Sequence, residues 1–162
     1  MTALRFVSVS AVACVALVTA SGCGRDPALD GSLTELVDLS YRKVEVVKTV
    51  DELALRFVMP QGAGEDVVLR VSASLVGTRV DAREPLDLTE EDALGQVRGK
   101  VARSVQGDAL TQFPPLQRGQ LTFEKELQEG ALVEGELNLT FENGTHAASG
   151  RTVFGRFEAR VR

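Results

Sequence analysis

The stretch VEGELNLTF, residues 133–141, decides the fold of this chain, because apolar and polar residues alternate along it without interruption. The stretch VFGRFEARV, residues 153–161, repeats the alternation. Successive side chains of a β-strand point to opposite faces, so each stretch predicts a strand with one apolar and one polar face. The loop between them contains Asn143-Gly144, a pair typical of turns with left-handed backbone. The sequence therefore predicts a β-hairpin here, with Glu and Arg side chains paired across its polar face.

The same alternation, in shorter pieces, runs through most of the remaining chain. Between Tyr41 and Val44 it changes parity, which indicates a β-bulge or a crossing from one sheet to another. Phe113-Pro114-Pro115 is excluded from a strand interior, because proline donates no backbone hydrogen bond. We predict further strands over residues 34–47, 53–58, 67–75, 79–82, 97–105 and 119–127, and a turn or short helix over 89–94.

About seven or eight short strands with little helix predict an all-β fold, an antiparallel β-sandwich in which two sheets bury their apolar faces against each other. A small up-and-down β-barrel is the alternative. Gly135 and Gly155 occupy matched positions of the final hairpin and indicate a close approach between backbones or a sharply coiled strand. Most of the six Phe residues after residue 22 fall at inward-facing positions and are predicted to lie in the core.

The first 23 residues, MTALRFVSVSAVACVALVTASGC, form a separate unit. Arg5 is its only charged residue, and the 17 residues from Phe6 to Gly22 carry no ionisable group except the thiol of Cys14. At a helical rise of ~1.5 Å per residue this run reaches only ~25 Å, short of the ~30 Å hydrocarbon core of a membrane. A basic start, an apolar middle and a small-residue end predict a cleaved secretory signal peptide over residues 1–22.

The segment Ala20-Ser21-Gly22-Cys23 resembles the lipobox of bacterial lipoproteins. That resemblance covers residues 1–23 and implies cleavage before Cys23, a diacylglycerol on its thiol and an acyl group on its new amino group. Because Gly rather than Asp follows Cys23, it also favours the outer membrane over the inner membrane. A plain cleaved signal peptide and an uncleaved membrane anchor are the alternatives. The implied organisation is a lipidated Cys with a flexible tether over residues 23–32 and a β-sandwich domain over residues 33–162.

Composition limits the chemistry that the chain can perform. The 162 residues include 18 Lys and Arg, 23 Asp and Glu, one His and two Cys, for a net charge of −5. An acidic chain is a poor partner for a nucleic acid, whose phosphates require clustered cations. The one histidine, His146, follows the Asn143-Gly144 turn without a G-x-S-x-G motif, and acylated Cys23 is neither a nucleophile nor a zinc ligand. We therefore predict no catalytic residue, no metal centre and no cofactor besides the lipid.

One acidic segment is a weak candidate for binding calcium. Asp87, Glu90, Glu91 and Asp92 place four carboxylates close together in the sequence, and Ca²⁺ takes six to eight oxygen ligands. The segment lacks the D-x-D-x-D-G pattern of a calcium loop, so an ordinary solvated turn is the competing interpretation.

These features predict a non-enzymatic lipoprotein of the bacterial cell envelope, of unknown specific role, that binds or scaffolds an envelope protein while its lipid holds it at the membrane. Two alternatives stay open: a carrier of an apolar ligand, and a small hydrolase with paired carboxylates. An interior filled by the protein's own side chains favours scaffolding, and a large internal cavity favours the carrier. A cleft with two neighbouring carboxylates favours the hydrolase.

Overall fold

The computed structural model describes residues 29–162, which form an all-β structure. A short 3-10 helix, Ser32–Glu35, precedes nine strands: β1 (Lys43–Lys48), β2 (Glu52–Gln61), β3 (Gly64–Ser74), β4 (Leu86–Asp87), β5 (Gly99–Ser104), β6 (Thr111–Gln112), β7 (Leu116–Phe123), β8 (Leu132–Phe141) and β9 (Thr152–Val161). None of the described residues belongs to a helix long and apolar enough to cross a membrane. The all-β prediction is confirmed, with nine strands. The predicted signal peptide and Cys23 lie outside the described residues.

All nine strands are hydrogen bonded in one mixed sheet, in the order β4-β7-β8-β9-β1-β2-β3-β5-β6, and the sheet curls into a half-barrel. The β1–β9 pair is parallel, and the other strand pairs are antiparallel. The prediction described two packed sheets, whereas the structure has one. Curling brings the two halves of this sheet face to face, so the apolar side is buried in the same way as in a sandwich.

The inner face of the half-barrel is filled by the alternating residues that the sequence marks as apolar. Along β8 and β9 the buried positions are those predicted, from Val133 to Phe141 and from Val153 to Val161. Phe57 packs edge-to-face against Phe157, with ring centroids 5.8 Å apart. Each buried Phe contributes roughly 1.5–3 kcal/mol by leaving water, so this aromatic cluster is a large part of the core.

Leu88 joins the two ends of the curled sheet. Its N–H donates to the carbonyl of Gly119 on β7 (2.8 Å), and its carbonyl accepts from the N–H of Gly99 on β5 (2.7 Å). A Cβ atom on Gly99 would lie 2.6 Å from the Leu88 Cβ, and one on Gly119 would lie 2.9 Å from it. Both positions therefore require glycine, because the backbones approach too closely for a side chain.

The predicted close approach between backbones is confirmed at Gly135, where a Cβ would lie 2.5 Å from the carbonyl oxygen of Thr122, but at Gly155 the close neighbour is a side chain. The ring of Phe157 covers Gly135 on the neighbouring strand, with its Cζ atom 2.6 Å from where a Cβ would stand. At Gly155 the nearest atom is Cδ2 of Leu29, at 3.0 Å. The predicted Glu–Arg pair across the hairpin is also present, since Arg156 donates to Glu136 at 2.6 Å.

Three local predictions are wrong. Strand β1 begins at Lys43 rather than near residue 34, because the chain around the buried Leu33 forms the 3-10 helix; the parity change near Tyr41 marks the entry into β1. Residues 79–82 form no strand. Of the two alternatives predicted for residues 89–94, the turn is confirmed: the Asp92 amide donates to the Gln96 carbonyl. In the β8–β9 loop, Gly150 takes the left-handed conformation (φ 70°) in place of Asn143-Gly144.

Two further differences concern which residues are buried. The predicted tether includes residues 29–32, yet Leu29 is 1% exposed and Asp30 forms two backbone hydrogen bonds of 2.9 Å with Phe154. Because Gly155 has no side chain, it leaves space beside it that the buried side chain of Leu29 occupies. Phe154 itself points away from the core and is 46% exposed, in contrast to the buried Phe57 and Phe157.

Candidate functional site

An open cleft of about 780 Å³ lies at the end of the half-barrel where β1, β3, β7 and β9 finish. Three connections and the end of β9 form its walls. Its floor consists of Leu75, Leu127 and Val161, which are buried members of the core.

The turn between β1 and β2 forms the first wall. The N–H of Thr49 donates to the Glu52 carbonyl at 2.8 Å, and the Thr49 hydroxyl accepts from the Glu52 N–H at 3.0 Å. These bonds fix the turn and leave Val50 at its tip, 89% exposed. An exposed valine held on a fixed turn is available for contact with another molecule.

The segment that follows β3 forms the second wall. The N–H of Leu75 donates to the Asp51 carbonyl (2.8 Å), and the N–H of Thr78 donates to the Leu75 carbonyl (3.1 Å). Gly77 between them has a left-handed φ of 76°, and a Cβ there would lie 2.6 Å from the Ala93 Cβ. The segment therefore turns sharply and directs Arg79 and Asp81 into the lining of the cleft.

The third wall combines the β7–β8 connection with the end of the chain. The N–H of Gly130 donates to the Val161 carbonyl (3.0 Å), and the N–H of Arg162 donates to the Val46 carbonyl (2.7 Å). Glu126 and Glu129 line the cleft from the connection, and Arg162 lines it from the end of the chain. Every wall of the cleft is thus held by backbone hydrogen bonds.

The charged side chains around the cleft are equal in number of each sign. Three cations and three anions surround the apolar floor: Lys48, Arg79, Arg162, Asp81, Glu126 and Glu129. Such a surface suits a partner that combines apolar contact with charges of both signs, as protein surfaces do.

Arg162 connects the cleft to a second feature, the buried carboxylate of Glu45. Glu45 is 1% exposed, and its Oε1 contacts Lys43 Nζ and Arg162 Nη2, the latter at 2.8 Å. Its Oε2 accepts from Arg56 Nη1 at 3.0 Å. Arg56 in turn donates to Glu65 at 2.7 Å, so an ion-pair network spreads over the outer face of β1 and β2.

The surroundings of Glu45 decide its ionisation. Burial of the carboxyl raises its pKa, but the hydrogen bond and charge of Lys43, followed by the charges of Arg162 and Arg56, outweigh burial. The pKa of Glu45 therefore lies below its ordinary value, and the carboxylate is ionised at neutral pH.

The acidic residues predicted as a calcium patch bind separate donors. Asp87 accepts from the N–H and hydroxyl of Thr89 (2.8 and 2.7 Å), and Glu90 accepts from Arg98 Nη1 at 3.0 Å. Asp92 accepts from the Ser74 hydroxyl at 2.8 Å, and Glu91 is exposed. Across residues 29–162, no three His, Cys, Asp or Glu side chains are grouped as they would be to hold a metal ion.

Hydrogen bonds also keep two of these carboxyls ionised. Donation by the Thr89 hydroxyl and then its N–H lowers the pKa of Asp87. Donation by the N–H of Gln96 and then the hydroxyl of Ser74 lowers the pKa of Asp92. The acidic segment therefore organises the turn between β4 and β5, with buried Arg98 as its main counter-charge.

His146 is exposed in the β8–β9 loop, where its Nδ1 accepts from the N–H of Ala148 at 3.1 Å. That contact closes a local turn. Cys23, the predicted lipid attachment site, lies outside the described residues.

Sequence reasoning missed both the cleft and the Glu45 cluster. Lys48, Asp81, Glu126 and Arg162 are far apart in the sequence and meet only because four strands end at one side of the sheet. A pattern of alternation assigns Glu45 to the polar face and contains no signal that this face is covered. Comparison of the chain with models of protein families, with curated proteins and with solved structures finds no match.

Proposed function

We propose that this chain is a lipid-anchored binding domain of the bacterial cell envelope, in which Cys23 carries the lipid and the half-barrel presents its open cleft to an envelope protein. The observation that carries the proposal is the cleft itself, with its apolar floor, balanced charges and fixed walls. The resemblance of residues 20–23 to a lipobox, followed by Gly24 rather than Asp, favours the outer membrane as the site of anchoring.

The filling of the interior supports binding at the surface over transport of an apolar ligand. Phe57, Phe123 and Phe141 are at most 1% exposed and occupy the space that a carrier would leave open. A partner therefore has the cleft, rather than the interior, as its place to bind.

Anchoring is tested by replacing the predicted acylation site. Cys23→Ala is expected to abolish labelling with a fatty-acid analogue, because alanine has no thiol to accept the lipid. It should also release the protein from membranes, because a persistent anchor needs two or more acyl chains. Cys14→Ala, which leaves the lipobox intact, is the matched control and should remain labelled. Unchanged labelling and membrane attachment of the Cys23→Ala protein would contradict the lipoprotein proposal.

Binding at the cleft is tested with a photo-crosslinking amino acid at Val50, on the cleft rim. Leu110, which is 49% exposed in the loop between β5 and β6, lies at the other end of the half-barrel and is the control position. In intact envelopes, illumination should give a discrete crosslinked product from position 50 and none from position 110. The product should be lost when Lys48 and Arg79, which line the cleft, are both changed to Glu. Equal products from both positions would contradict the proposal.

A carboxylate-dependent hydrolase is the second candidate, and one observation favours it: Asp81, Glu126 and Glu129 line the same cleft. A panel of glycoside and ester substrates is the test. Hydrolysis that is abolished by Glu126→Gln, yet kept in Glu134→Gln on the outer face of β8, would replace the binding function with an enzymatic one.

A further inference from the structure

The outer face of the sheet carries an exposed aromatic side chain, Phe154 on β9. Of the six Phe residues within residues 29–162, it is the one that is exposed, at 46%. Its neighbour on the same strand, Val153, is fully buried and fills the inner face at this point. A single exposed aromatic residue is ordinary on a protein surface, so the residues around Phe154 decide whether it belongs to a binding site.

The residues around Phe154 form a row across four strands. Phe154 is paired with Asn138 on β8, and Asn138 is paired with Gln120 on β7. Gln120 is in turn paired with Asp87 on β4. Residues that are paired directly across neighbouring strands point to the same face of a sheet. Strands lie ~4.8 Å apart, so the row is ~14 Å long, with the aromatic ring at one end and the carboxylate at the other.

The hydrogen bonds of the backbone set the spacing within the row. The N–H and carbonyl of Phe154 both bond Asp30, at 2.9 Å each, so they point away from β8. Phe154–Asn138 is therefore a non-hydrogen-bonded pair, in which the Cα atoms are ~4.5 Å apart and the side chains are close together. By the same alternation, Asn138–Gln120 is a hydrogen-bonded pair with Cα atoms ~5.5 Å apart. The ring and both amides are thus within reach of one small ligand.

Two shallow depressions, each of about 330 Å³, lie on either side of the row. Gln120 and Asn138 line both of them. Phe154 and Thr122 line the first depression, and Thr140 lines the second. A ligand that lies across the row therefore reaches polar side chains on both sides of it.

The polar side chains of this face have their hydrogen-bonding groups available. Among residues 29–162, the side-chain amides of Gln120 and Asn138 and the hydroxyls of Thr122 and Thr140 form no hydrogen bond. Each amide has two donors and one acceptor, and each hydroxyl both donates and accepts. The face thus offers donors and acceptors together, beside an aromatic ring.

The charged side chains that line the two depressions are equal in number of each sign. Arg156 and Glu136 line the first depression and form an ion pair, and Arg118 and Asp87 line the second. Such a face has no excess of cations with which to hold a nucleic acid or another anionic polymer. A peptide cannot be added as a strand beside this part of β9 either, because Asp30 already pairs with it.

From the row, its available amides and its balanced charges, we propose that the outer face of β7, β8 and β9 binds a neutral oligosaccharide. The C–H face of one sugar ring packs on Phe154, and the sugar hydroxyls, which both donate and accept, bond the amides of Asn138 and Gln120. This site is separate from the cleft and from the lipid, so its test is independent of the proposed function.

Saturation-transfer NMR of the full chain, in a detergent without a sugar headgroup, tests the site. The probes are the neutral trisaccharides of glucose, N-acetylglucosamine, mannose and galactose, and trigalacturonate is the anionic control. At least one neutral trisaccharide should bind, with transfer to its ring C–H protons, and trigalacturonate should not. The proposal would be overturned if none of the neutral probes bound, or if trigalacturonate bound as tightly.

Substitutions assign the binding to this face. Phe154→Ala should weaken the affinity for the bound trisaccharide about tenfold, as measured by calorimetry, because it removes the ring on which the sugar packs. Asn138→Ala should weaken it about 3–10-fold through the lost hydrogen bonds. Leu110→Ala is the matched control, because Leu110 is a similarly exposed apolar residue (49%) in the loop between β5 and β6, and its affinity should equal that of the natural protein.

A conservative variant separates the loss of the ring from a loss of folding. Phe154→Tyr keeps an aromatic ring and should retain most of the affinity that Phe154→Ala loses. Unchanged affinity in Phe154→Ala would overturn the proposal. A photo-crosslinking amino acid at position 154 that captures an envelope protein, in a chain that binds no saccharide, would also overturn it and make this face a protein interface.

Discussion

Two buried charges of opposite sign, Glu45 and Arg98, are held in different ways. Glu45 is 1% exposed and contacts Lys43 on its own strand, Arg56 on β2 and Arg162 at the end of the chain. Arg98 is 8% exposed, and its partners are the Asp87 carbonyl, the Glu90 carboxylate and the Glu91 carbonyl, all within 11 residues of it. The first charge therefore joins distant parts of the sheet, and the second holds one turn together.

This difference determines how much of the structure should be destabilised when each charged side chain is removed. Removing Glu45 leaves three cations around one site and loosens the contacts of β1 with β2 and with the end of β9. Removing Arg98 leaves two backbone carbonyls of the β4–β5 connection without a donor, while the Ser74–Asp92 bond still holds the adjoining turn. Loss of a buried counter-charge costs more than loss of local hydrogen bonds.

The largest expected effect is that of Glu45→Ala. It should reduce the free energy of unfolding by about 3 kcal/mol, because the contacts of Glu45 with three cations are lost together, each worth at most ~1.5–3 kcal/mol and less where the cation is partly exposed. Denaturant unfolding at neutral pH measures the change. Glu65→Ala is the matched control, since Glu65 is 42% exposed and its ion pair within residues 29–162 is with Arg56, and exposed ion pairs contribute ~0–1 kcal/mol. Equal destabilisation by the two substitutions would contradict the distinction between the two charges.

Arg98→Met should have a smaller and more local effect. Methionine keeps much of the apolar stem but leaves the Asp87 and Glu91 carbonyls without their donor, which costs about 1–3 kcal/mol. Hydrogen exchange should accelerate in residues 86–99 and leave β8 and β9 unchanged. Glu90→Gln, at the more exposed partner, is the control and should have little effect. Acceleration throughout the sheet would mean that Arg98, like Glu45, holds the whole fold.

The same comparison separates what the sequence predicts from what it cannot. Alternation is a local property, so it predicts the β8–β9 hairpin and the buried positions from Val133 to Val161. Glu45 stands at a polar position of such a pattern, and its burial depends on Arg162, which reaches it through the parallel β1–β9 pairing. No feature of the sequence near Glu45 encodes that pairing.

The acidic segment shows a related limit at short range. Four carboxylates in six residues suggest a cation site, but Arg98 folds back over the same turn and supplies the positive charge. The cleft is even harder to predict from the sequence, because the order of strands in the sheet is what brings its residues together. Local patterns thus predict strands and faces, whereas the candidate site depends on long-range pairing.

The smallest expected effect is the response of stability to acid. Lys43, Arg162 and Arg56 outweigh burial and hold the pKa of Glu45 below its ordinary value of 4.5, so the unfolded state binds the proton more readily than the folded state. The stability that Glu45 contributes is therefore fully present above the ordinary pKa and is lost as the pH falls through the lowered folded value. The stability difference between the natural protein and Glu45→Gln should be constant from pH 7 to about pH 5.5 and should shrink below pH 4.5. Urea unfolding at a series of pH values measures this difference.

Arg98→Met is the control. Because Arg98 keeps its charge throughout this range, the stability difference between the natural protein and Arg98→Met should shrink less. Equal shrinkage in both variants would mean that carboxyls other than Glu45 control the response to acid.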